Sequence, residues 1–159
     1  MSYLLTRRTE VFPIGAILMI PDSDSQEQPW LVYWLENIQA SGYNRYVILR
    51  LTHFITWRDQ AGKEHASWAY LYGEEDNMMR NELRARSRAD SVYTESLKLT
   101  FFILPTNEFI KIDDYLEIGE GNLKEAYCVS GYDLHSTPGV EYVIVKPVYI
   151  RDNTPSPEQ

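Results

Sequence analysis

The chain has 159 residues, of which 44% are hydrophobic, 13% aromatic and 24% charged, and its formal net charge is −8. That is enough chain for one domain with a real core, and the composition excludes a disordered polymer. The acidic balance argues against general nucleic-acid binding, which needs Lys and Arg to neutralise phosphate, while 12 Tyr and 4 Trp favour β-structure with contact faces.

MSYLLTRRTE contains no apolar core of signal-peptide length, and the longest apolar run, IGAILMIP, is too short to span a bilayer. The expectation is a protein neither secreted by the classical route nor integral to a membrane. Residues 14–20 predict a first strand, closed by the turn-forming loop PDSDSQEQP. DSDS (22–25) resembles the start of a calcium loop, but the required Gly at the sixth position and Glu at the twelfth are missing, so it reads as a solvated loop. Residues 30–38 predict a second strand.

The run 44–59 is long and rich in β-branched and aromatic residues. Tyr46, Ile48, Leu49, Leu51, Phe54 and Trp57 do not keep to one face, which predicts a bulge or bend. DQAGKEH (59–65) predicts a hairpin loop with Gly62 at positive φ. The return strand, 65–73, alternates Ala66, Trp68, Tyr70 and Tyr72 against Ser67, Ala69 and Leu71. Trp57 and Trp68 flank this hairpin, either as core or cross-strand pair or as contact residues for a partner.

Residues 74–91 break the strand pattern. Acid leads and Arg follows, the order that complements a helix dipole, and a short inserted helix is expected over about 75–88. Arg80, Arg84 and Arg88 then share one face. They either grip carboxylates or phosphates on a partner or form a solvated face balanced by Glu82. Strands resume at 96–105, 109–118, 126–134 and 140–150. Ser136, Thr137, Pro138 and Gly139 turn the chain before the last of these, and Pro147 within it marks an edge or a bend. The total is about eight strands and one short helix. The predicted fold is mainly β, a small antiparallel barrel or sandwich spanning 1–152 as one domain, with 153–159 as an extended C-terminal tail. Pro155 and Pro157 in that tail are candidate contacts to a neighbour.

No chemistry is visible. His53, His65 and His135 have no metal-ligand spacing, and there is no Gly-rich phosphate loop and no G-x-S-x-G. The acidic pairs EED (74–76) and DD (113–114) read as a helix start and a turn. Cys128 has no partner for a disulfide and sits in a predicted strand as a small hydrophobe. No catalytic, cofactor-binding or metal-binding residue is assigned, no cofactor is expected, and the chain is not expected to be an enzyme.

NRYVILRLTHFITWRDQAGKEHASWAYLYG resembles a segment of structural proteins from tailed bacteriophages of low-GC Gram-positive hosts. NEFIKIDDYLEI, followed by EAYCVSGYDLHSTPGVEYVIVKPVYIRD, is similar to their C-terminal half. The likeness is one of pattern and covers residues 44–152. It implies a small β-barrel that assembles as a ring in the neck, head-closure or head–tail connector region of the virion. It implies portal, adaptor or tail proteins as neighbours, DNA passing through the ring without specific binding, no membrane, and assembly in the bacterial cytoplasm. No family binding residue carries over individually. Two other readings stand beside it: a small acidic inhibitor of a basic enzyme, and a metal-dependent enzyme using Glu74, Asp113 or Asp114.

Overall fold

The computed structural model describes residues 1–36, 42–72, 100–119, 124–132 and 138–148. They form ten strands: β1 (Ser2–Arg7), β2 (Ile17–Pro21), β3 (Glu27–Glu36), β4 (Tyr43–Arg50), β5 (His53–Arg58), β6 (Glu64–Tyr72), β7 (Thr100–Pro105), β8 (Tyr115–Ile118), β9 (Glu125–Tyr132) and β10 (Val140–Val148). The fold is mainly β, with no helix among the described residues. The helix expected at 75–88, with Arg80, Arg84 and Arg88, lies outside them, as do His135 and the tail with Pro155 and Pro157.

The two strands beyond the expected eight have separate origins. SYLLTR carries no strand periodicity of its own, yet it forms β1 by pairing with β4, more than 35 residues away, at Ser2↔Ile48 through Arg7↔Tyr43. The run 44–59 is two strands, β4 and β5, which belong to different sheets. The chain changes sheet across one peptide bond: Leu51 N donates to Pro29 O (2.9 Å) in one sheet, and Thr52 N donates to Ala69 O (3.2 Å) in the other. The irregular apolar pattern that predicted a bend therefore marks a complete crossing.

The first sheet has the order β1-β4-β3-β2, and the remaining strands close a six-stranded barrel in the order β10-β7-β6-β5-β8-β9. Alternation along each strand then assigns side chains to faces. Ala69, Phe102, Leu104, Val143 and Val145 fill the barrel interior with Ile55, Trp57, Leu116 and Val129. Their outward neighbours Tyr72, Phe101, Ile103 and Tyr142 pack against Leu31, Tyr33, Val47 and Leu49 of the sheet. So β6, β7 and β10 are apolar on both faces because one face is barrel core and the other is the seam to the sheet. Each large side chain fully buried in this way contributes about 1.5–3 kcal/mol.

Two expectations need correction. The last strand is not at an edge, because β10 pairs with both β7 and β9. Pro147 itself pairs with Tyr127 of β9, and the β10–β9 register shifts between Ile144 and Val145, so the bend is the reading of this strand that holds. The segment 109–118 is strand only from Tyr115 onward. Before that, Ile110 N donates to Asn107 O, Asp114 N donates to Lys111 O, and Asp113 has φ 72°. These tight turns push Ile110 (2% exposed) into the barrel as a plug.

Two loops lock the sheet to the barrel. Gly15, leading into β2, and Gly139, leading into β10, both have φ +94° and meet backbone to backbone. Gly15 N donates to Val32 O (2.8 Å) and Gly139 O accepts from Thr106 N (3.1 Å), so neither loop is free to withdraw.

Within the seam the Tyr33 and Tyr142 hydroxyls bond to each other. The Tyr72 hydroxyl is the one buried side-chain polar atom among the described residues with no hydrogen-bond partner. Tyr72→Phe is therefore expected to stabilise the protein by ~1 kcal/mol, since it removes an unsatisfied group and keeps the ring stacked on Phe101. Denaturant unfolding of the variant beside the parent chain measures this; a loss of stability would refute it.

Candidate functional site

Three places gather functional side chains. The first is the end of the β5–β6 hairpin. Asp59 organises the turn: its Oδ1 accepts from Ala61 N and Lys63 N, both at 2.9 Å, and its Oδ2 accepts from His65 Nε2 at 2.7 Å. Gly62 takes φ +79°, the conformation its place in DQAGKEH predicts. The His65 ring is sandwiched between Trp57 (5.5 Å) and Phe109 (4.5 Å). Trp57, a candidate contact residue, is 3% exposed, and its indole N–H donates to Phe109 O (3.1 Å). This stack caps the barrel interior. Trp68, the other candidate, is half-buried against the seam and meets Phe54 edge-on at 5.2 Å.

The ring of donors around Asp59, with His65 first, holds its carboxyl below the ordinary value of 3.8. Burial lowers the pKa of His53 below 6.5, against a smaller opposing pull from Glu125. Both shifts act in the same direction. As pH falls below about 6.5 the unfolded chain protonates His53 first, so stability is lost through the folded pKa. Asp59 stabilises the fold above pH 3.8, and that contribution disappears as pH falls through its lowered pKa. Acid is therefore expected to lower Tm in two stages. Asp59→Asn, which can still accept from Ala61 and Lys63, should flatten the lower stage only. A Tm-versus-pH series checks this, and an unchanged lower stage would count against it.

The second place is a cleft of about 760 Å³ beside that hairpin. It exists because β5 and β8 pair only at Ile55↔Ile118 and Thr56↔Glu117 and then diverge. Arg58, Glu64, Asp113, Asp114, Glu117 and Lys124 line it. Its two cations are already engaged, Arg58 with Glu64 (2.7 Å) and Lys124 with Glu117 (3.1 Å). These exposed pairs are worth about 0–1 kcal/mol each. The recess is acidic and suits a basic group from outside. No group of three or more His, Cys, Asp and Glu side chains among the described residues is placed to hold a metal.

The third place was not legible in the sequence. The barrel covers only the centre of the four-stranded sheet. On the same face, towards the rim, Tyr3 (62% exposed), Leu5 (63%) and Tyr43 (57%) stand in the open. Arg45 lies 4.8 Å over the Tyr3 ring and is ion-paired with Glu36. On the opposite edge of that sheet Ile17 and Met19 are exposed as well. Sequence periodicity misses these residues because they occupy the core-facing side of their strands; only the extent of the barrel leaves them uncovered.

A closed barrel joined to an open, apolar-edged sheet is the class that fold and site define. In comparisons with protein-family models, curated proteins and solved structures, nothing matches this chain. Among the described residues no helix is long and apolar enough to cross a membrane.

Proposed function

We propose that this chain is a non-enzymatic structural component of a tailed-phage virion, a ring-forming protein of the neck, head-closure or head–tail connector region. The observation that carries this reading is the four-stranded sheet, whose two terminal strands both expose large apolar side chains beside a rigid, filled barrel. Such edges invite another chain. A head-to-tail contact between unlike patches generates a ring when its rotation closes. The patterned likeness over residues 44–152 supports the virion context.

The barrel interior is packed with side chains such as Phe102 and Leu104, so DNA would pass through the centre of the ring and not through a protomer. A net charge of −8 suits such a wall, because repulsion lets the polymer slide without specific binding. Its neighbours would be further copies of itself and portal, adaptor or tail proteins. Assembly would take place in the bacterial cytoplasm without a membrane. A small acidic inhibitor is the second reading, favoured by the acidic cleft beside the β5–β6 hairpin.

Quantitative mass spectrometry of purified phage particles separates the two. Stoichiometric retention through a density gradient is expected. Absence from particles despite abundance in infected cells would overturn the virion role and favour the inhibitor.

A further inference from the structure

We propose that copies of this chain join edge to edge, β1 of one copy adding antiparallel to β2 of the next, so that the four-stranded sheet continues from protomer to protomer. Among the described residues no strand pairs with the outer edge of β1 or of β2, and the occupant of each is thus a second copy of the same sheet.

Direction comes first. β1 is antiparallel to β4, β4 to β3, and β3 to β2, so β1 and β2 run in opposite senses. A neighbour placed beside the sheet in the same orientation therefore brings its β2 antiparallel to β1 without inversion. The two strands also match in length, at six and five residues.

The faces match as well. Tyr3 pairs with Val47 and Leu5 with Arg45, which puts both on the barrel side of the sheet. Ile17 pairs with Leu31 and Met19 with Pro29, which puts these on the barrel side too. Placing Tyr3 beside Met19 of the next copy sets Leu5 beside Ile17 and, on the opposite face, Leu4 beside Leu18. Tyr3, Leu5, Ile17 and Met19 are exposed at 62%, 63%, 37% and 48% in the protomer and would be covered together. Leu4 and Leu18 already belong to the margin of one apolar cluster on the other face, so that cluster would run on across the joint. Pro21 falls at the end of this register, opposite Met1, where a missing N–H interrupts no central bond.

A two-fold β1–β1 joint would cover Tyr3 and Leu5 but leave Ile17 and Met19 bare, whereas the unlike joint covers both edges in every copy. The joint stands on the edges alone; its closure into a ring rests on the function proposed above.

The test uses the full chain carrying Cys128→Ser, which removes the free thiol on β9. Tyr3→Cys and Met19→Cys are made separately, mixed and mildly oxidised. Residues directly opposite in antiparallel strands lie about 4.5–5.5 Å apart at Cα, within disulfide reach. The mixture is expected to give a disulfide-linked dimer of the two variants, and neither variant alone should. Leu5→Asp is expected to shift sedimentation velocity towards monomer while keeping the far-UV circular dichroism of the parent chain, since Leu5 is exposed in the protomer, and Tm should fall only by what assembly contributed. Oligomers that survive Leu5→Asp and give no link between positions 3 and 19 would overturn this joint while leaving a ring standing. Linkage of Tyr3→Cys to itself would replace it with the two-fold joint. A monomer at every concentration would also overturn it. Specific linkage in a protein missing from purified particles would keep the joint and remove the virion role.

Discussion

Gly139→Ala is expected to destabilise the protein by ~3 kcal/mol or more, enough to unfold a marginal domain. A Cβ at this position would overlap the Ile14 carbonyl, and a Cβ on Gly15 would overlap the Gly139 carbonyl. Neither obstacle is the far end of a flexible side chain. Both are backbone held by hydrogen bonds, from Gly15 N to Val32 O and from Thr106 N to Gly139 O. The positive φ adds its own penalty. Gly62→Ala isolates that penalty: its φ is +79°, yet nothing lies within 4 Å of the added Cβ. It should lose only ~1 kcal/mol. Urea denaturation of the two variants checks the difference. Equal losses would show that the crossing of the two loops contributes nothing beyond backbone conformation.

Phe101→Ala should cost ~3–5 kcal/mol, the range for truncating a buried Phe in a packed core. Phe101 is 4% exposed, stacks on Tyr72 at 4.5 Å and lies 5.6 Å from the Tyr142 ring. Phe102→Ala should cost about as much, but its side chain lies in the barrel interior, edge-on to Tyr127. The two losses should differ in place. Emptying the seam at Phe101 should raise hydrogen exchange in β3 and β4 first, because these strands rest on it. Emptying the interior at Phe102 should raise exchange in β9, whose Val129 and Tyr127 pack there. Identical exchange patterns would mean that seam and interior are one cooperative unit.

The hairpin of β5 and β6 was legible because its instructions are local. Asp59 and Gly62 form the turn with their own neighbours, and the alternation from Ala66 to Tyr72 is a two-residue period. The alternation along β10 was legible for the same reason, but only the layers on either side decide that both faces are buried, Tyr142 and Ile144 towards the sheet and Val143 and Val145 inside the barrel. The plug at Ile110 was not: DD (113–114) reads as a turn, but Ile110 and Ile112 before it and Leu116 and Ile118 after it alternate as a strand does. What ends the strand there is tertiary: Asp113 N donates to Val129 O and Val129 N donates to Asp114 O, which ties the turn to β9.

By itself the sequence determined a mainly β chain, the turns at Gly62 and Gly139, and most of the strands, because these depend on backbone geometry and on side chains two residues apart. Tertiary structure alone decided that 44–59 splits between two sheets, that β1 exists, and that six strands close while four stay open. Each of those outcomes depends on which distant strand supplies the hydrogen bonds. It also decided which apolar side chains stay uncovered. Val47 and Leu49 share their face with Tyr43, yet the barrel buries the first two and stops short of the third. Alternation gives every strand a face, but only the reach of the neighbouring layer determines how much of that face meets water.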